Sequence, residues 1–257
     1  MNPEWRERYE AALEIAREAG RRALEYFEQA VDIEWKKDRS PVTQADREAE
    51  TILRERLLGR FPDDAFLGEE QGEHLGSSGF RWILDPIDGT KSFVRGIPLW
   101  ATMVGLEFRG ELIAGVAHLP ALGGLTYHAL RGAGAWRDDR RIRVSRVDQL
   151  AEAYVFYSSL SWFVAAGKQN EFLELVKQSA RQRGYGDFYG FVLVAQGSGE
   201  IMVEHGVSPW DIAPLIPIVE EAGGRMTNWN DQHDIFSRDV LATNGLLHGT
   251  AMGLLRG

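Results

Sequence analysis

The chain has no cysteine among its 257 residues, which removes disulfides, thiolate metal sites and cysteine nucleophiles in one step. No apolar run approaches the ~18 residues that cross a bilayer. The first residues, Met1-Asn2-Pro3-Glu4-Trp5-Arg6, are charged and lack the apolar centre of a secretory signal, so we expect a cytoplasmic protein. Positive charge is short: 29 Lys and Arg against 38 Asp and Glu give a net charge of −9. Nucleic acid and anionic membranes therefore find no complementary surface. Several catalytic signatures are missing too. There is no Gly-x-Ser-x-Gly elbow and no Gly-x-x-x-x-Gly-Lys loop, and the histidines at 74, 118, 128, 205, 233 and 248 never form a His-x-x-x-His pair; serine-hydrolase, P-loop and helical zinc chemistry lack their residues. No repeat, low-complexity tract or long linker breaks the chain.

What is present is 44% apolar content with eight tryptophans, ample for a packed core, and one unusual stretch. Trp82-Ile83-Leu84-Asp85-Pro86-Ile87-Asp88-Gly89-Thr90 is an apolar run that stops at two carboxylates. The run reads as a buried strand, and Asp-Pro followed by Asp-Gly-Thr is turn chemistry that ends it. Pro86 and Gly89 can bend the chain so that Asp85, Asp88 and the Ile87 carbonyl converge. Three hard oxygen donors suit Mg²⁺. If a helix starts at Gly89-Thr90, its N–H groups favour an anion at the same point. A cation and an anion together mean metal-assisted phosphate chemistry; taken alone, the two acids are better explained as turn residues.

Around this stretch the pattern predicts a helix over 5–28, buried through Tyr9, Ala12, Leu13, Ala16, Ala23, Leu24 and Phe27, with Gly20 as a close-packing point. A strand over 31–35 and a charged, lysine-rich loop over 36–41 follow. Thr43-Gln44-Ala45-Asp46 opens a second helix with the spacing of a capping box, a sufficient structural reason for both end residues. Ala65-Phe66-Leu67 is a strand ending in Gly68-Glu69-Glu70, and the Gly- and Ser-rich segment 71–79 reads as a mobile loop able to close over a site. Strands at 101–108 and 111–119 form a hairpin at Arg109-Gly110, and others at 125–130 and 142–144 extend an antiparallel meander. Five arginines between 137 and 146 are interrupted by Asp138-Asp139 and read as a solvated turn. After residue 150 the rhythm becomes strands alternating with helices: a strand at 153–157, helices at 170–183 and 188–196, a strand at 201–204. A helix over 210–221 ends at Gly223-Gly224, with Asp211 in its first turn, where the helix dipole accounts for it, and Pro217 bending it. The first half is thus α+β and the second α/β, with a boundary near residue 146 (halves 1–146 and 147–257) and the site between them.

Asp85-Pro86-Ile87-Asp88-Gly89-Thr90 with Phe93, preceded by Gly68-Glu69-Glu70 and followed by Trp210-Asp211-Ile212-Ala213, resembles the Mg²⁺-dependent inositol monophosphatase superfamily, and the motifs occur in that order along nearly the whole chain. The resemblance implies a layered αβαβα sandwich and a phosphate monoester hydrolase. It implies that Glu69, Asp85 and the Ile87 carbonyl hold one Mg²⁺ and that Asp85, Asp88 and Asp211 hold a second, roughly 3.5–4 Å away. A third, weaker ion near Glu69 belongs to the same pattern. Asp46 and Thr90 orient the attacking water, Glu69 is catalytic as well as a ligand, Glu70 holds water nearby, and Lys36 lies near that water. Gly89, Thr90 and Asp211 bind substrate. The family also implies a homodimer.

The substrate is read from a departure. Where inositol monophosphatases carry Gly-Thr-Ala or similar ahead of the second-half helix, this chain has Gly184-Tyr185-Gly186-Asp187-Phe188-Tyr189-Gly190. That segment, Ser208-Pro209-Trp210-Asp211 and Ser92-Phe93-Val94-Arg95-Gly96 look like the histidinol-phosphate phosphatase branch. Histidinol phosphate carries an ammonium and a titratable imidazole, which carboxylates at Asp187 and Glu204 would complement; Asp187 read alone is a cap for the helix at Phe188. The alternatives are an inositol-1-monophosphatase or broad sugar phosphatase, and a catalytically silent binding protein.

Overall fold

The computed structural model describes residues 2–29, 34–35 and 41–257. Lys36 and most of the strand expected over 31–35 lie outside them.

Helix α1 (Pro3–Leu24) starts with Asn2 accepting the Glu4 N–H at 2.9 Å and Pro3 in its first turn. Its buried face is mostly alanine, with Gly20 where a Cβ would stand 2.6 Å from His118 and 2.8 Å from Pro120. Leu24, expected inside, is exposed because the helix ends there. A two-residue pair, β1 (Glu34–Trp35) with β2 (Pro41–Val42), leads into α2 (Gln44–Arg60).

The first sheet comprises β3 (Ala65–Gly68), β4 (Gly72–His74), β5 (Phe80–Asp88), β6 (Ala101–Phe108), β7 (Glu111–Leu119), β8 (Leu125–Leu130), β9 (Gly134–Arg137) and β10 (Arg140–Arg141), in the order β10-β9-β8-β7-β6-β5-β3-β4. Every pair is antiparallel except β3 with β5. After β5 comes the single-turn helix α3 (Thr90–Phe93). Segment 71–79 is not the free loop expected: β4 pairs with β3, and the N–H groups of Ser77 and Ser78 bond to the Asp63 carbonyl at 2.8 and 3.0 Å. The strand expected at 142–144 falls at 140–141, turning at Asp138-Asp139 as read, with Ile142 adding one more bond to Ala135.

The second sheet takes β11 (Tyr154–Phe156), β12 (Arg181–Arg183), β13 (Ile201–His205), β14 (Arg225–Thr227) and β15 (Asp239–Thr243) in the order β12-β11-β13-β15-β14. Its helices are α4 (Leu160–Ala165), α5 (Gln169–Gln178), α6 (Asp187–Ala195), α7 (Pro209–Ile212), α8 (Leu215–Glu221) and α9 (His248–Arg256). The helix expected over 170–183 stops at Gln178, because 181–183 pairs with β11 as an edge strand. The helix expected over 210–221 breaks at Ala213-Pro214, not at Pro217: Pro217 lies in the first turn of α8, where a missing N–H costs nothing.

The layers follow from the contacts. α1 and α2 cover one face of the first sheet, α6 and α8 lie between the sheets, and α5 and α9 cover the outer face of the second. This is the αβαβα sandwich the resemblance implied. The middle layer is tightly seated, since a Cβ at Gly115 would stand 1.8 Å from the Pro214 carbonyl oxygen and one at Gly105 3.2 Å from Pro214 N. One continuous core joins Met103, Ala117 and Tyr127 of the first sheet to Phe191, Leu215 and Val240.

Candidate active site

Strand β5 is buried from Trp82 to Asp88, and its register against β6 slips by one residue between Asp85 and Asp88. The bulge is held by two bonds: the Ile87 N–H donates to Asp85 Oδ1 at 3.0 Å, and the Thr102 hydroxyl donates to the Pro86 carbonyl at 2.9 Å. Gly89 then takes φ +86, and a Cβ there would meet the Leu99 carbonyl at 2.8 Å, so only glycine makes this turn. The turn thus bends the chain as the sequence suggested.

Asp211 arrives from the middle layer at the third position of α7, where one carboxylate oxygen accepts the Ser208 N–H at 2.8 Å. Single oxygens of Asp85, Asp88 and Asp211 lie within 4.8 Å of one another. Glu69, at the end of β3, and Ile87 line the same cavity of about 170 Å³. Crowding of buried like charges shifts these acids. Burial, then the charges of Glu69, Asp88 and Asp211, push Asp85 well above the carboxylate range; burial and Asp187 do the same to Asp88; burial brings Asp211 to about 7. The donor set, all carboxylate and carbonyl oxygen, fits a hard divalent cation.

Asp46 serves two ends at once. Its Oδ2 accepts the Thr43 N–H at 2.7 Å and the Thr43 hydroxyl at 2.6 Å, while Oδ1 lies 3.5 Å from the Thr90 hydroxyl, which is 3.0 Å from the Ile87 carbonyl. The cap and the site are therefore combined in one side chain. Burial raises the Asp46 carboxyl to about 7.

The mouth belongs to the second sheet and α6. Asp187 opens α6 with φ +53 and makes no capping bond, so the cap explanation fails and the strained backbone calls for another. Its Oδ2 would be 3.4 Å from a Cβ on Gly89, and the next residue, Phe188, donates its N–H to Asp88 Oδ2 at 2.6 Å. Desolvation pushes the Asp187 carboxyl upward and the Lys91 ammonium opposes the push, although the residue as a whole is exposed. Glu204, at the end of β13, is 5% exposed; its Oε1 accepts the His205 N–H at 3.1 Å, while its Oε2 has no partner in good hydrogen-bond geometry. Burial raises it to about 8 against the opposing pull of Ser158 and His205.

The sequence missed Glu50, Lys91, Ser158, Trp162, His205 and Gly206. The last five line the cavity. The Glu50 carboxylate, fully buried, accepts the N–H groups of Glu70 at 2.8 Å and Gln71 at 2.6 Å and so holds the turn that presents Glu69. Its signal was available: Glu50 lies one helical turn beyond Asp46, on the same face of α2.

The inositol monophosphatase family model matches residues 4–256. A histidinol-phosphatase of Chlorobaculum parvum is 40% identical, over 90% of this chain and 90% of its own. One of Mycobacterium tuberculosis is 42% identical, over 84% and 85% respectively. Among solved structures, the extragenic suppressor protein suhB of Bartonella henselae superposes with a TM-score of 0.90 at 30% identity, covering 96% of this chain and 97% of that one.

Proposed function

Because the chain belongs to the inositol monophosphatase family and is a phosphatase, we propose that it hydrolyses histidinol phosphate to histidinol and phosphate, with Mg²⁺ as cofactor. The relatives from Chlorobaculum parvum and Mycobacterium tuberculosis are histidinol-phosphatases. The observation that carries the reading is Glu204, a buried carboxylate at the site with one oxygen unpartnered. A buried acceptor of this kind is costly until a donor reaches it. Asp187 adds a second carboxylate beside the Asp-Gly-Thr turn. The hydroxyls of a polyol can donate to these oxygens too, but an ammonium and a protonated imidazole add charge to the same hydrogen bonds.

Asp85, Asp88, Asp211, Glu69 and the Ile87 carbonyl would hold Mg²⁺, as two ions, with Glu70 holding water nearby. When bound, Mg²⁺ neutralises the phosphate, acidifies a water and stabilises the departing alkoxide. The chain does the remaining work. We assign the phosphate to the main chain of Gly89 and Thr90. The Thr90 hydroxyl has one proton to donate and two carbonyl or carboxylate oxygens within 3.0 and 3.5 Å. If the Ile87 carbonyl were taken up as a ligand, Asp46 would be the acceptor remaining for that proton, and Oγ1 would be left to accept from and aim the attacking water. Thr43 keeps Asp46 from turning away.

A panel of monoesters with Mg²⁺ tests the substrate. Histidinol phosphate is expected to exceed inositol 1-phosphate in kcat/KM, and Asp187→Ala to raise KM for histidinol phosphate far more than for an aryl phosphate. The reverse order on the wild type would place the chain with the polyol phosphatases. No helix among the described residues is long and apolar enough to cross a membrane. With the net charge of −9, this supports a cytoplasmic enzyme without nucleic-acid or membrane partners. We also propose a homodimer, which sedimentation would check.

A further inference from the structure

Trp162, on α4, lines the same cavity as the carboxylates and is half-buried. Its indole lies against the main chain of Gly206, where a Cβ would meet ring carbons at 3.3–3.4 Å and φ is +88. The bare backbone at 206 lets so large a side chain stand at the wall of the site. Its π face is directed at a charged group: Lys91 Nζ, one residue beyond Thr90, is 5.6 Å from the ring centroid. Lys91 now stands over that face, so a substrate ring reaches it by displacing the ammonium, one π contact exchanged for another. The unpartnered Oε2 of Glu204 belongs to the same cavity, as does Asp187 next to Gly89. An aromatic face, a buried acceptor lacking a donor and a carboxylate beside the phosphate turn together suit a planar ring with an N–H, joined to an ammonium close to the ester.

We propose that Trp162 selects for the ring of the substrate: the imidazole rests on the indole face and donates its N–H to Glu204, while Asp187 holds the ammonium beside the phosphate. The proposal rests on histidinol phosphate being the substrate. No bond changes at Trp162; it acts through binding alone, and its effect falls mainly on KM.

The experiment compares histidinol phosphate with O-phosphoethanolamine, which keeps the ammonium and the ester and lacks the ring. In Trp162→Ala the ratio of the two kcat/KM values is expected to fall roughly tenfold, the scale of one aromatic contact added to the area it buries. Trp162→Phe restores most of the ratio. Trp162→Leu, which retains bulk against Gly206, gives a similar fall and guards against a folding defect in the alanine variant. Equal losses on both substrates, with the melting temperature unchanged, overturn the role of Trp162 and leave the substrate standing. A wild-type enzyme that gains nothing from the ring overturns the substrate reading, and the platform with it.

Discussion

At the scale of single residues, the carboxylates of this site divide their two oxygens between different tasks. Asp46 gives Oδ2 to Thr43 and leaves Oδ1 to Thr90; Asp211 gives one oxygen to the Ser208 N–H and joins Asp85 and Asp88. Asp46→Asn keeps the shape and removes the negative acceptor. Its kcat is expected to fall by about 100-fold or more, the usual scale for losing a positioned proton acceptor, with KM changing far less. Steady-state kinetics checks this, and an unchanged kcat would reduce Asp46 to a helix cap. The sequence displayed these acids because each sits in a turn or cap whose chemistry is local. Trp162 was harder to see, because it stands on a helix of six residues, too short for periodicity to show; Glu204 was named only through the chemistry of the expected substrate, since nothing local distinguishes it from any acid at a strand end.

At the scale of elements, the start of α2 is the joint on which the water-orienting pair depends. The Thr43 hydroxyl accepts the Ala45 N–H at 3.1 Å and donates to Asp46. Thr43→Ala loses both bonds and is expected to cost about 1 kcal/mol, roughly 2–4 °C in melting temperature for a chain of this size. It should also lower kcat, while Thr43→Ser keeps both properties; calorimetry and kinetics on the pair of variants separate cap from catalysis. Elements with strong local signals were readable: α1 from its small-residue stripe, the β6–β7 hairpin from Arg109-Gly110. Those decided by partners were not. Gln178 ends α5 because the next residues find an edge of the second sheet, and β4 forms because β3 is beside it. Residues 225–227, 239–243 and 248–256 were not read as elements at all. The two strands are short pieces of a sheet assembled from distant segments, and α9 is defined by packing on β15 and α5.

At the scale of the whole molecule, the site concentrates negative charge in a protein that already carries an excess of it. Asp46 and Asp211 are raised to about 7 and Glu204 to about 8, in each case first by burial. The unfolded chain releases these protons near pH 4, so between there and pH 7 to 8 the metal-free native state holds more protons than the unfolded one. The contribution of these groups to stability is full below pH 4 and is lost as pH rises through their native values. At Asp211, a proposed ligand, Mg²⁺ competes with the proton directly. The gain in melting temperature on adding Mg²⁺ is therefore expected to be larger at pH 8 than at pH 6, with protons released on binding. Scanning calorimetry in EDTA and in Mg²⁺ measures the first and titration in two buffers the second; a gain independent of pH would mean the acids are already ionised. The overall layering was legible through the family resemblance, but the break that aims α7 was not, because its cause is on another strand. The Pro214 carbonyl rests where the side chain of residue 115 would be. A residue with no functional group, on a strand that supplies no ligand, consequently has as little freedom to vary as Asp211, and a search for essential positions guided by chemistry alone would pass it by.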